Sequence, residues 1–346
     1  WSEAFFILFL SWRSILRLDR ATGRRSRRRV GAKAMTDTTP SAATSWEALA
    51  GRYDGFILDQ FGVMHNGAVA LDGAPALVER LAVAGKKLGI LSNSSKRKEW
   101  TLRELPKLGF SASCFVAEAV TTSGEEAWHA LGKHWRGKSC VWLSKKDGDG
   151  VNDFLDGTGV SLAGVERADF LLASGTNVVR DGDSVRAVDC EQTGDLTQFE
   201  ALFSRAVERE IPMVCANPDF VSPPKPGKGT TYQPGHLAEE YERRGGKVIY
   251  FGKPHREHFE ACVAGLGLPK ARVAHVGDSM HHDVAGAAAA EVAVIFIAGG
   301  IEHGRLGIEP GALPTPEAVR KLCDEHGLRD VPTHTAALMR WEAEVV

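Results

Sequence analysis

The sequence predicts an α/β protein built on a doubly wound parallel sheet, with a second α/β domain inserted into the first. Three observations carry this reading. From about Trp46 onward, short apolar runs alternate with longer stretches of helical periodicity, the pattern of parallel βα units. Several of the apolar runs stop at small or acidic residues, where open α/β sheets build their sites. Residues 122–246, which separate the third apolar run of the series from the fourth, are far more than one crossover connection needs and carry strand and helix patterns of their own.

The elements follow in order. Residues 56–58 read as the first strand, ending at Asp59, and a helix runs through Leu77, Leu81 and Val83. Residues 88–91 form the second strand, ending in Ser92-Asn93-Ser94-Ser95. Leu102, Leu105 and Leu108 mark a helix that Pro106 bends or shortens. Residues 114–116 are a brief third strand. The inserted segment shows helices over 122–135 and 202–209, strands over 140–143, 170–173 and 213–215, and a Pro-, Gly- and Lys-rich loop over 222–229. Strands return at 273–276, running into Gly277-Asp278, and at 292–297, running into Gly299-Gly300. The tail from Arg305 holds a helix through Val319 and Leu322 and a short apolar segment over 336–341. The expected divisions are a basic extension over 1–45, the first domain over 46–121, the inserted domain over 122–246, and the rest of the first domain with its tail over 247–346.

A chain of 346 residues that is 43% hydrophobic and 25% charged fits two globular domains and excludes collagen-like, disordered and polytopic membrane classes. The net charge of -2 averages two unlike pieces: residues 1–34 carry nine Lys and Arg against Glu3 and Asp19, a net of +7, leaving -9 for the rest. An acidic body argues against a nucleic-acid partner. In the head, residues 5–10 are apolar but too few to span a bilayer, and 13–29 are Arg-rich. That makeup suits either an organelle transit peptide or an untranslated upstream stretch before Met35. The expected location is intracellular: cytoplasmic if translation starts at Met35, mitochondrial or plastid if residues 1–34 are a transit peptide. The six cysteines include no C-x-x-C pair and read as buried, reduced thiols, with Cys114, Cys140 and Cys215 in strand-like runs.

Four stretches carry the chemistry: Asp59-Gln60-Phe61-Gly62-Val63, Ser92-Asn93, Gly252-Lys253-Pro254, and Gly277-Asp278-Ser279-Met280-His281-His282-Asp283. In that order and setting the chain resembles the haloacid dehalogenase (HAD) superfamily, and within it class IIA, the p-nitrophenyl-phosphatase-like enzymes with a large α/β cap after the third core strand. Thr122-Ser123-Gly124 at the cap entrance and Asn217-Pro218-Asp219 within the cap support the resemblance, which covers residues of about 50 to 300. It implies a HAD-like Rossmannoid core and a magnesium-dependent phosphatase acting on a small phosphorylated metabolite through an aspartyl-phosphate.

The resemblance assigns Asp59 as nucleophile, because phosphoryl transfer to a carboxylate needs an exposed one at a rigid strand end. Asp59, the Phe61 carbonyl and Asp278 would ligate Mg2+, with Asp283 holding a bound water. Ser92 and the Asn93 backbone N–H would take phosphoryl oxygens, and Lys253, fixed at a helix start by Pro254, would offset the negative charge. Asn217 and Asp219 either contact substrate or form a plain Asn-Pro-Asp turn. Caps of this class often pair, so a homodimer through the cap is an expectation.

One departure bears on activity. The family's phosphatases carry an acid-base Asp two residues after the nucleophile, and Phe61 stands there. A missing acid costs about a hundred- to ten-thousandfold in rate. The expectations are a phosphatase for good leaving groups, recruitment of His65 as another acid, or a phosphate-ligand sensor or interaction protein without turnover. Metal-free carbon–halogen cleavage fits poorly with an Asp278/Asp283 pair. Three further stretches have plain readings: His281-His282 as a spacer at a helix start, Pro226-Gly227-Lys228-Gly229-Thr230 as a cap loop rather than a P-loop, and Asp147-Gly148-Asp149-Gly150 as a solvated turn.

Overall fold

In chain order the strands are β1 (Gly55–Leu58), β2 (Lys87–Ser92), β3 (Phe115–Thr122), β4 (Ser139–Ser144), β5 (Ser161–Leu162), β6 (Phe170–Ala173), β7 (Val178–Asp181) and β8 (Ser184–Ala187). They continue with β9 (Met213–Cys215), β10 (Val221–Ser222), β11 (Thr231–Tyr232), β12 (Val248–Tyr250), β13 (Val273–Gly277), β14 (Ala293–Ile297) and β15 (His334–Ala336). This computed structural model describes residues 45–145, 154–222 and 229–342. The expectations for the basic extension, for the turn at 147–150 and for nearly all of the 222–229 loop lie outside the described residues.

The first sheet has six strands in the order β15-β14-β13-β1-β2-β3, each pair parallel. Its two faces are both apolar, as a parallel sheet covered by helices requires. Phe56 and Leu58 of β1 point into one core with Leu88, Ile90 and Val276, under the helices Trp46–Arg52 and Ala74–Val83. Ile57 and Leu91 point into the other, against Phe259, Cys262 and Leu266 of the helix Arg256–Leu266. Full burial of each such side chain is worth about 1.5–3 kcal/mol. The chain reverses its direction of winding between β1 and β13, so the carboxyl ends of these two strands face a common crevice.

The second sheet runs β12-β9-β6-β4-β7-β8, with β5 added beside β4. Ala127 and Leu131 of the helix Ser123–His134 cover one face, and Leu202, Phe203, Leu237 and Tyr241 cover the other. No helix among the described residues is long and apolar enough to cross a membrane.

Several elements differ from the sequence reading, each for a local reason. Val83 is 83% exposed because the buried stripe of its helix is Leu77, Val78 and Leu81. The helix Lys98–Glu104 gives way to a 3-10 turn, Leu105–Leu108, with Pro106 in its first turn, where a missing N–H costs nothing. Cys114 ends a 3-10 turn, and the third strand runs on to Thr122 past an irregularity, since Leu88 pairs with Phe115 but Ile90 with Val120. The second sheet takes in Val248–Tyr250 through pairing with β9, so the division expected at 246 falls a strand early. The apolar tail begins with a sixth parallel strand, β15, beside β14. All six cysteines are free, and all but Cys114 are buried.

Candidate active site

Asp59 follows β1 directly, and its backbone N–H donates to the Val276 carbonyl at 2.9 Å, tying it to β13. The chain then folds tightly back, with Met64 and His65 both donating to the Gln60 carbonyl. Gly62 has φ 75° in this turn, and a Cβ there would lie 1.8 Å from Asp278 Oδ2, so a side chain is excluded on both counts. The absence of that one atom lets the loop after Asp59 close over Asp278.

Asn93 joins three segments through its side chain. Its Oδ1 accepts from the Lys253 backbone N–H at 2.7 Å and from Ser123 Oγ at 3.2 Å. Its Nδ2 donates to Asp219 Oδ1 at 2.7 Å and to the Lys253 carbonyl at 3.2 Å. Gly252, at φ 118°, again has no room for a Cβ, which would meet Ser123 Oγ at 2.1 Å. Lys253 thus sits on a loop after β12 rather than at a helix start: Pro254 follows a cis bond and precedes His255, the N-cap of the helix Arg256–Leu266. Ser92 is buried at the end of β2, and its Oγ accepts from the Ser94 N–H at 3.3 Å.

The four charged groups converge. Lys253 Nζ lies 2.7 Å from Asp59 Oδ1 and 2.7 Å from Asp283 Oδ1. Asp59, Asp278 and Asp283 each offer an oxygen within 4.8 Å of the others. Asp278 Oδ2 accepts from the Ile301 N–H at 2.8 Å. Asp283 lies in a π-helical turn, Met280–Val284, and its Oδ2 accepts from the backbone N–H groups of Asp278, at 3.1 Å, and Ser279, at 2.9 Å. Its Oδ1 accepts from His275 Nε2 at 2.8 Å as well as from Lys253. Four donors match the roughly four acceptor sites of a carboxylate. One of them must give way if Asp283 is to hold a bound water.

Three buried carboxylates lie together, two of them paired with the one ammonium of Lys253, and the charge imbalance shows in their acidities. Burial, reinforced by Asp283 and opposed by Lys253, pushes Asp59 up to about 7. Burial together with Asp59 and Asp283 raises Asp278 well above the ordinary carboxylate range. Burial acts against Asp283 too, but Lys253 and His275 outweigh it and hold that carboxyl well below its usual value. Burial lowers His258 to about 3, with Lys253 adding to the effect, so no second cation comes from this imidazole. A cradle of hard oxygen donors short of positive charge fits a divalent cation such as magnesium.

Of the remaining expected residues, Phe61 lies in the turn after Asp59 with its ring edge-on to His65, centroids 4.9 Å apart. His65 is buried, with Nδ1 accepting from the Gly67 N–H at 3.0 Å and Nε2 3.4 Å from Gln60 Oε1, so its ring serves its own loop. Asn217 is buried and its Oδ1 accepts from the Asp219 N–H at 2.9 Å, as an Asx turn does. That turn delivers Asp219 to Asn93, just past the carboxyl end of β2. His282 departs from the spacer reading: its Nε2 lies 3.7 Å from Asp219 Oδ1, a contact between the Asp278–Asp283 loop and the inserted segment. His275 and the Asn93 side chain were not foreseen. The signal for His275 is a lone polar residue inside the apolar run 273–276.

Two family models match the chain: haloacid dehalogenase-like hydrolase over residues 56–161 and HAD-hydrolase-like over residues 250–323. The chain is 30% identical to chronophin of Homo sapiens over 241 residues, 68% of this chain and 77% of that protein. It is 22% identical to 4-nitrophenylphosphatase of Schizosaccharomyces pombe over 267 residues, 70% of this chain and 83% of the other. The solved p-nitrophenyl phosphatase of Archaeoglobus fulgidus shares the fold at a TM-score of 0.60 and 20% identity, over 84% of this chain and 97% of that one. The chain therefore belongs to the haloacid dehalogenase-like hydrolases, in the class IIA branch of p-nitrophenyl-phosphatase-like enzymes.

Proposed function

We propose that the protein is a magnesium-dependent phosphatase that cleaves a small phosphorylated metabolite through an aspartyl-phosphate on Asp59. The observation that carries this reading is the meeting of Asp59, Asp278, Asp283 and Lys253 on the segments that follow β1, β13 and β12. Asp59 and Asp278, with the Phe61 carbonyl, are the residues that would hold the cation, which when bound supplies positive charge between a carboxylate and a phosphate dianion. Asp59 attacks phosphorus in line, the bond to the ester oxygen breaks, and that oxygen leaves with the electron pair. Ser92 and the Asn93 N–H bind phosphoryl oxygens, and Lys253 offsets the charge that accumulates on them. Water then attacks phosphorus, releasing phosphate and restoring the Asp59 carboxylate.

Phe61 has no proton to give, and the His65 ring is engaged in its own loop. The leaving oxygen therefore departs unassisted, which favours aryl, enol or acyl phosphates over alkyl ones. Asp219, held beside the phosphate site by Asn93, is the contact through which the inserted domain would reach the leaving group. A second reading, a phosphate-ligand sensor without turnover, is favoured by Phe61 itself. Phosphate release from a panel of phosphorylated metabolites with magnesium separates the two. Turnover supports the phosphatase; tight binding of a phosphate ester without phosphate release supports the sensor and overturns the enzyme.

A further inference from the structure

His275 takes no part in the chemistry above, yet it is fully buried in the middle of β13, between Ala274 and Val276. An imidazole at such a position costs free energy unless its N–H is matched. Its Nε2 lies 2.8 Å from Asp283 Oδ1, and because an ionised carboxylate only accepts, that nitrogen carries the proton. The ring packs edge-on against Phe259, centroids 5.0 Å apart, which fixes its plane. Asp283 in turn grips the backbone N–H groups of Asp278 and Ser279 and the Lys253 ammonium. The carboxylate lies flat against the chain: a Cβ on Gly277 would come within 2.2 Å of Asp283 Cγ. One buried N–H therefore orients the group that holds both the loop of Asp278 and the lysine facing Asp59.

We propose that His275 is a positioning residue: acting through Asp283, its Nε2–H sets the placement of Asp278 and Lys253 and so the affinity of the acidic pocket for a divalent cation. The proposal rests on reading that pocket as the cation site. Outer partners of this kind typically cost about 10–100-fold in metal affinity when they are removed. Without the donor, Asp283 Oδ1 is left to Lys253 alone, the ammonium is drawn away from Asp59, and the Asp278 turn loses a fixed anchor.

The test is calorimetric titration of Mg2+ into the full chain, which needs no turnover. His275→Leu keeps bulk and removes the donor, whereas His275→Gln puts an amide N–H near the position of Nε2. The leucine variant should bind Mg2+ about 10-fold or more weakly, and the glutamine variant within about threefold of wild type. Should the leucine variant not fold, His275→Asn, whose amide is too short to reach Asp283, replaces it with the same expected weakening. Wild-type affinity in a folded donor-less variant overturns the proposal, as does a glutamine variant no better than the leucine one. A wild-type chain that binds no Mg2+ overturns instead the cation-site reading itself, and the proposal with it.

Discussion

Magnesium should stabilise this protein more at high pH than at low, by an amount that the buried carboxylates fix. Asp59 titrates at about 7 in the fold against 3.8 for an ordinary aspartate, and Asp278 is displaced in the same direction. A carboxyl whose folded pKa is raised holds a proton that the unfolded chain has lost. Its stabilising contribution is complete below about pH 4 and disappears as the pH climbs through about 7. A cation must displace the same proton, so its binding strengthens over the same range. From about pH 5.5 to about 7 this amounts to about 2 kcal/mol per proton displaced. At about 2.1 cal/mol/K of unfolding entropy per residue, a chain of 346 residues moves by about 1.4 °C per kcal/mol, so that is about 3 °C.

The assay is the melting temperature with saturating Mg2+ minus that with a chelator, across this pH range. Taking the difference matters because burial also lowers His258, to about 3, and His334, to about 4. A depressed histidine makes the fold gain stability as the pH rises towards its ordinary value, which opposes Asp59 in either curve alone. His334 lies away from the site, bonded to Tyr53, and cancels in the difference. A difference that stays flat or shrinks as the pH rises would refute the charge-deficit account.

Phe61→Asp should raise hydrolysis of alkyl phosphates about 10²–10⁴-fold and that of aryl phosphates far less, at the loss of a ring contact with His65 worth about 1 kcal/mol; steady-state kinetics on paired substrates show it, and no gain counts against the missing acid as the limiting defect. Gly62→Ala should retain the fold but bind Mg2+ poorly, because the backbone is left-handed there, at about 1–2 kcal/mol for an L side chain, and the new methyl displaces Asp278; unchanged titration would show that the loop has slack. Asp219→Ala should leave Mg2+ affinity unchanged while altering KM and the ranking of substrates, and an unaltered ranking would remove Asp219 from the leaving-group side.

The carboxylates of the cluster were legible because a rigid strand end followed by acidic or small residues leaves a mark in the sequence: Leu58 gives way to Asp59, and Val276 to Gly277-Asp278. Lys253 was legible only as one of an ordered set. Its helix start was misplaced, since Gly252 and Asn93 decide the loop that carries it, and both act through tertiary contacts. The part of Asn93 was seen for its backbone, while the side chain does the joining of three segments far apart in the chain. His275 reads as a flaw in a strand until Asp283 is found beside it. β15 has three residues and β7 pairs antiparallel within a largely parallel sheet, so neither has a periodicity long enough to detect. Asp219 and His282 meet only because the inserted segment folds back over the core loops, and no local pattern encodes that.

The central claim is that Asp59 becomes phosphorylated. Rapid acid quench during turnover of an aryl phosphate with Mg2+, followed by mass spectrometry of the peptide that contains residue 59, tests it. The account predicts one added phosphoryl group on Asp59, absent without magnesium and absent in Asp59→Asn, which should also lose phosphate release. Sustained turnover by Asp59→Asn, or a phosphoryl group on any other residue, would contradict it.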